Sequence, residues 1–221
     1  MGRRLVISDI HGCLSSFKRA IEMVNLDRDR LYLLGDYIDR GEDSKGVISL
    51  VRSLVRDGAI ALRGNHEDMV VSCRYDIWMA NGGHDTLESY GGEVDESDIE
   101  FMRRLPIYHE EEDCIFVHAG INPRYSLNRQ IEFDFLWIRE GFIDVEYTGK
   151  TVVFGHTPTM KIRMFNRKMF PVRTKEDLNN QWNPIVLGEY GSRIAVDSGV
   201  VFGGYLSLVD IDSGEFWMFE R

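Results

Sequence analysis

Five short apolar runs in this chain each stop on an Asp, Asn or His beside a glycine. Leu5-Val6-Ile7 runs into Asp9-Ile10-His11-Gly12, and Leu31-Tyr32-Leu33-Leu34 into Gly35-Asp36-Tyr37-Ile38-Asp39-Arg40-Gly41. Ala59-Ile60-Ala61-Leu62 runs into Arg63-Gly64-Asn65-His66-Glu67, Ile115-Phe116-Val117 into His118-Ala119-Gly120, and Val152-Val153-Phe154 into Gly155-His156-Thr157. Helix patterns separate the first three runs, with Leu14, Phe17, Ile21 and Val24 on one face, then Val47, Ile48, Val51, Leu54 and Val55. Strands alternating with helices imply βαβ units, an α/β (α+β) class and a largely parallel sheet. Ligands bind at the carboxyl ends of such strands. Positions 9, 36 and 65 lie 27 and 29 residues apart, about one βαβ unit each, so neighbouring strands bring Asp9, Asp36 and Asn65 to one sheet edge.

The rest of the chain reads as support for that edge. Residues 67–105 are helical and amphipathic, broken at Asn81-Gly82-Gly83 and Gly91-Gly92, which suggests a small helical or loop cap. Further strands are expected at Cys114 to Val117, Thr151 to Phe154, Ile194 to Val196, Tyr205 to Val209 and Phe216 to Phe219, with Asp210 to Gly214 as the last hairpin turn. The stretch from Asn166 to Pro184 has no clear period, carries Arg167, Lys168, Arg173 and Lys175, and reads as a long loop, functional or simply solvated. With 221 residues, 43% of them hydrophobic, the chain is expected to form one domain over 1–221.

Charge and cysteine usage narrow the setting. Thirty-six acidic residues against 26 basic ones give a net charge of −10, which argues against nucleic acid or an anionic membrane as partner. No apolar run approaches the roughly 20 residues needed to cross a bilayer, and the N-terminal residues do not resemble a signal peptide. Cys13, Cys73 and Cys114 are odd in number and widely spaced, so a reducing, cytoplasmic location is expected. Cys13 reads as a small buried helix-start residue.

The strand-end residues carry the chemistry. Carboxylate, imidazole and amide oxygen donors together suit divalent Mn, Fe or Zn. A strand-end Asp taken alone is often only a helix cap, and a lone His is more often structural than a ligand. Five coincident placements are hard to reconcile with that. Six or more such donors are too many for one ion and suit two ions sharing a carboxylate and a water.

These motifs, in this order, closely resemble those of the calcineurin-like metallophosphoesterases. Asp39-Arg40-Gly41 and Asn65-His66-Glu67 are similar to the phosphoprotein phosphatase branch, and Trp137-Ile138-Arg139-Glu140 resembles a segment of its lambda-type bacterial members. The resemblance implies a metallophosphoesterase fold of two packed mixed β-sheets flanked by helices. It implies Asp9 and His11 as ligands of a first metal, Asp36 as the carboxylate bridging two metals, and Asn65, His118 and His156 as ligands of the second. His66 resembles the group that protonates the leaving oxygen, with Asp39 orienting it and holding it protonated. Arg40 looks like a phosphate clamp. Arg139 is chosen as the second clamp, with Arg124 as its competitor. Ala195-Val196-Asp197-Ser198-Gly199 resembles a turn beside the metals, either purely structural or with Asp197 ordering the His ligands.

The activity implied is hydrolysis of phosphate monoesters by a hydroxide bridging two metal ions, Mn²⁺ being preferred over Fe or Zn. A phosphorylated protein or phosphopeptide is the expected substrate, at phosphoserine or phosphothreonine and conceivably phosphotyrosine. The alternative at the same site is a symmetrical dinucleoside tetraphosphate hydrolase. A non-catalytic binding protein on this fold would be expected to have lost ligands, whereas this chain keeps all of them.

Overall fold

The computed structural model describes residues 2–166, 175–188 and 192–221. Arg167, Lys168 and Arg173 of the basic stretch lie outside the described residues, as does the Lys175 side chain. Two five-stranded sheets form the centre. The first has the order β10-β9-β1-β2-β3, built from β1 (Arg4–Ile7), β2 (Arg30–Leu33), β3 (Ile60–Ala61), β9 (Leu206–Asp210) and β10 (Phe216–Phe219). The second has the order β4-β5-β6-β8-β7, from β4 (Tyr108–Glu110), β5 (Cys114–Val117), β6 (Thr151–Phe154), β7 (Ile185–Leu187) and β8 (Arg193–Ala195). β1, β2 and β3 run parallel, and so do β5, β6 and β8. Antiparallel pairings are β1 with β9, β9 with β10, β4 with β5 and β7 with β8.

The period-2 alternation of strand side chains sorts each apolar run between two cores. Leu5, Ile7, Leu31 and Leu33 face a layer of helices, α1 (Leu14–Ile21) and α2 (Ser44–Arg56). Val6, Tyr32, Leu34, Cys114, Phe116 and Val153 meet between the sheets, where Tyr32 stacks on Phe116 with centroids 3.9 Å apart. Ile115, Val117, Val152 and Phe154 face a third core that holds Phe135 of α7 (Glu132–Trp137) and Ile162 of α8 (Thr159–Phe165). Burial on both faces is why these strands read as unbroken apolar runs. Two mixed sheets with flanking helices are the arrangement that the motif resemblance implies.

The 67–105 stretch forms four helices, α3 (Asn65–Val71), α4 (Tyr75–Ala80), α5 (Gly83–Tyr90) and α6 (Glu96–Arg104), interrupted at the two glycine pairs. α9 (Lys175–Asn179) lies inside the stretch read as loop. Among the described residues no helix is long and apolar enough to cross a membrane. Cys13 is fully buried just before α1, and burial pushes its thiol up to about 12.

Candidate active site

The parallel strands of both sheets end at one place. Asp9 follows β1, Asp36 follows β2, Asn65 and His66 open α3 beyond β3, His118 follows β5, His156 follows β6 and Asp197 follows β8. Backbone hydrogen bonds fasten these loops together: Asp9 N–H to Gly35 O at 3.1 Å, His11 N–H to Asp36 O at 2.8 Å, and Gly155 N–H to His118 O at 2.8 Å. The adjoining glycines have a steric reason. A Cβ on Gly64 would stand 2.3 Å from Asp36 Oδ1, and one on Gly155 would stand 2.2 Å from Asp9 Oδ2.

Backbone strain collects here as well. Among the described residues the non-glycine positions with positive φ are Asp9, His11, Asp36, Asp39, Arg40, Cys73 and His156. All but Cys73 were singled out from sequence. Each such conformation costs on the order of 1–3 kcal/mol and persists only where its surroundings enforce it.

The side chains form two groups that share one carboxylate. His11, Asp36 and His66 make one, and Asp36, His118 and His156 the other. Asp36 Oδ2 lies 3.6 Å from His11 Nε2 and 3.8 Å from His66 Nε2, and Oδ1 lies 3.4 Å from His118 Nε2. Asn65 Oδ1 is 2.8 Å and His156 Nδ1 3.1 Å from the same His118 Nε2. Asp9 lines the cavity beside them, its Oδ2 accepting from Ser8 Oγ at 2.5 Å and from His156 N–H at 2.9 Å.

Two tautomers follow from carbonyl partners. His118 Nδ1 donates to Leu34 O and His11 Nδ1 donates to Ile38 O, each at 2.9 Å. The lone pairs on both Nε2 atoms therefore point inward. His118 Nε2 then faces Asn65 Oδ1 and Asp36 Oδ1, acceptor against acceptor. That donor set, with Asp9 beside His11 and Asp36, fits two divalent cations and leaves His66 free of them.

Burial dominates the electrostatics. It drives Asp36 well above the usual carboxylate range, with the Asp9 charge adding to it, and does the same to Asp197. It pushes Asp39 and Glu67 each up to about 7. The imidazoles of His11, His66 and His156 fall well below their ordinary range for the same reason, and His118 falls too. Cations among them favour ionised carboxylates and neutral imidazoles.

His66 departs from expectation. Its Nδ1 sits 2.5 Å from Asp39 Oδ2, as the pairing predicted. Yet burial, followed by the charges of Arg40, His118 and Arg139, holds the ring well below its ordinary value. Asp39 is itself raised by burial, against the pull of hydrogen bonds from Thr86 and Trp78. The carboxylate orients the ring but does not keep it protonated.

A cavity of about 200 Å³ is lined by Asp9, His11, Asp36, Asn65, His66 and His156, and also by Arg40, Arg139 and Asp197. Arg40 Nη1 is 2.7 Å from His11 Nε2. Arg139 Nη1 donates to His156 O at 2.8 Å and to Thr157 Oγ1 at 2.7 Å, whereas Arg124 is exposed and does not line this cavity. Asp197 accepts from Gly199 N–H at 2.9 Å and holds a turn rather than ordering a histidine. Asn81 reaches the cavity, as a cap residue should.

Glu67 was quoted within its motif but given no role. Its carboxylate accepts backbone N–H groups from Gly64, Asp36 and Tyr37. In the sequence it is marked only as an acidic residue two positions after Asn65; its full burial belongs to the fold.

The sequence profile of the family described as Calcineurin-like phosphoesterase matches residues 2–187. The symmetrical bis(5'-nucleosyl)-tetraphosphatase of Aromatoleum aromaticum is 34% identical over 123 residues, 54% of this chain and 45% of that protein. In this and several other relatives of that name, the matched stretch spans about half the relative's length. The protein of the same name from Aliivibrio fischeri is 24% identical across 96% of both chains. Serine/threonine-protein phosphatase 1 of Salmonella typhimurium is 28% identical over 93% of this chain and 90% of its own. The crystal structure of a candidate diadenosine tetraphosphatase superposes with a TM-score of 0.66 at 22% identity, covering 98% of this chain and 92% of that one, which shows the fold.

These relatives overturn the preference for protein dephosphorylation. The tetraphosphatase name recurs among the matches, at partial and at full coverage. Within the sequence, the Trp137-Ile138-Arg139-Glu140 segment is what points to protein dephosphorylation. Arg139 of that segment lines the cavity shared by any phosphoryl substrate, so it does not discriminate between substrates.

Proposed function

This chain belongs to the calcineurin-like phosphoesterase family, a metal-dependent hydrolase family, and on that premise we propose that it is a symmetrical dinucleoside tetraphosphate hydrolase, releasing two nucleoside diphosphates. The observation that carries this reading is the alignment with the Aliivibrio fischeri tetraphosphatase over 96% of both chains, which includes both sheets and the cap. We read residues 1–221 as one catalytic unit, because strands of both sheets supply the cavity. We place it in the cytoplasm, on the charge balance and the free cysteines Cys13, Cys73 and Cys114.

Asp9 and His11 would hold one divalent ion and Asn65, His118 and His156 a second, with Asp36 between them. Nitrogen and oxygen donors of this kind favour Mn²⁺, with Fe or Zn as substitutes. Such ions supply positive charge for the phosphoryl oxygens and a water acidic enough to attack near neutral pH.

The chain's own residues do the rest. Arg40 and Arg139 flank the cavity and grip nonbridging phosphate oxygens, for which a planar guanidinium is well shaped. Asp39 fixes the His66 ring through Nδ1 and turns Nε2 towards Asp36 and the reacting group. As the phosphorus–oxygen bond breaks, His66 gives a proton to the leaving oxygen. A ring held neutral by burial gains that proton when a polyanionic substrate enters beside it.

The test is a competition. Mn-loaded protein receives diadenosine tetraphosphate and a phosphopeptide mixture together, with products resolved by mass. Nucleoside diphosphate released ahead of any peptide dephosphorylation is the expected result. Dephosphorylated peptide with the tetraphosphate intact would overturn the proposal.

A further inference from the structure

Phe202 is an aromatic side chain that stands outside the hydrophobic cores. It is 49% exposed and belongs to none of the three cores, although its neighbours Val200 and Val201 pack into the first. It nevertheless sits in a fixed place. A short 3₁₀ turn, Val200–Phe202, carries it, closed by Phe202 N–H to Gly199 O at 2.9 Å and Gly204 N–H to Gly199 O at 3.0 Å. That turn lies against buried Trp182, so closely that a Cβ on Gly199 would stand 2.3 Å from the indole. A rigid perch for an exposed ring needs a reason outside folding.

The ring's surroundings supply one. Phe202 lines the same cavity as the metal-ligand candidates and the two arginines. The Arg40 guanidinium carbon lies 5.4 Å from its centroid and Lys161 Nζ lies 5.6 Å from it. Lys161 is exposed, lines the cavity and has no carboxylate at ion-pair distance among the described residues. The lip therefore groups one half-exposed aromatic ring with two cations, Arg40 and Lys161, at the mouth of the cavity. A nucleobase that carries a run of phosphates supplies a partner for each kind of group. A phosphorylated serine or threonine supplies the phosphate but no flat ring.

We propose that Phe202 is the stacking platform for a nucleobase of the substrate and that Lys161 binds a phosphate beyond the one attacked. This deepens the tetraphosphatase reading and rests on it. Stacking of a base on an aromatic ring corresponds to roughly five-fold to a hundred-fold in affinity.

The test measures binding by calorimetry on Mn-loaded protein with free Mn²⁺ held constant, using ATP and inorganic tripolyphosphate as probes. Phe202→Ala should raise the Kd of ATP about ten-fold or more while the Kd of tripolyphosphate moves less than about two-fold. Phe202→Tyr should keep the wild-type preference, and Lys161→Met should weaken both probes. Equal changes for the two probes in Phe202→Ala, or none, would overturn the platform. Turnover of diadenosine tetraphosphate by the wild type is scored separately. If it is absent while the split between probes persists, the tetraphosphatase reading falls and the base platform stands.

Discussion

Glu67 holds the backbone of Asp36. Its Oε2 accepts the Asp36 N–H and the Gly64 N–H, each at 2.9 Å, while Oε1 accepts the Tyr37 N–H at 2.7 Å. Asp36 is the residue common to both candidate metal groups, and its φ of 56° is one an L-residue adopts only under constraint. Asp36 lies in the loop that follows β2, outside any regular ladder, so Glu67 acts as a brace for its backbone. Replacing one acceptor oxygen by an amide leaves a buried donor facing a donor. Glu67→Gln is expected to lose about 1–3 kcal/mol of stability and roughly ten-fold or more in Mn²⁺ affinity. Thermal unfolding and a metal titration check both, and an unchanged metal affinity would remove the brace from the argument.

Stability of the metal-free protein should fall as pH rises from 6.5 through about 7, and burial of Asp36 and Asp197 acts in the same sense. Burial raises Asp39 and Glu67 to about 7 in the folded chain, so the native state holds protons that the unfolded chain has released. The stability they contribute is present at low pH and is lost as pH rises through about 7. His11, His66, His118 and His156 are lowered, so the native state holds fewer protons and stability falls as pH drops below the ordinary imidazole value. The two effects oppose each other below pH 6.5, and only the carboxylates act above it. Saturating Mn²⁺ favours ionised carboxylates and should move that fall to higher pH. Melting curves of chelator-treated protein between pH 5 and 8.5, with and without metal, decide this. Metal-free stability that rises through this range above pH 6.5 would contradict it.

Much of the fold is legible because β1, β2, β5 and β6 are buried on both faces and so leave unbroken apolar runs. β4 and β7 are three-residue edge strands, and Tyr108-His109-Glu110 alternates too briefly to register. α7 and α8 span six and seven residues, less than two full turns. At the site, Asp9, Asp36 and His118 are visible because each ends such a run. The lowering of His66 is not, since it depends on burial and on Arg40, His118 and Arg139, which the fold brings together. Phe202 is likewise silent in sequence, where a Phe between valine and glycine reads as core.

The choice between Arg139 and Arg124 can be tested directly. Arg139 lines the cavity and is anchored through His156 O and Thr157 Oγ1, whereas Arg124 does not line it and contributes only its backbone N–H, to Asn122 Oδ1. Hydrogen bonds to a charged partner contribute about 1.5–3 kcal/mol. Arg139→Ala should therefore raise the product-inhibition constant for phosphate by roughly ten-fold or more. Arg124→Ala should leave it where it is. The reverse pattern would move the clamp to the other arginine.

The demand on His66 should depend on the leaving group. Cutting a tetraphosphate at its middle expels a phosphate oxygen, a weak base that departs with little help. Cutting an alkyl phosphate expels an alkoxide, which needs a proton in the transition state. His66 is poorly protonated at rest, because burial and three neighbouring cationic or imidazole groups lower it, and Asp39 serves mainly to aim the ring. Such a residue suits a substrate that asks little of its acid. His66→Asn is accordingly expected to slow glycerol phosphate hydrolysis by about 10²–10⁴-fold, the usual worth of general acid catalysis, and tetraphosphate hydrolysis by clearly less. Single-turnover rates on the two substrates give the comparison. An equal loss on both would mean that His66 acts chiefly on the attacking side or on the metals, and the assignment of the leaving-group proton would have to be withdrawn.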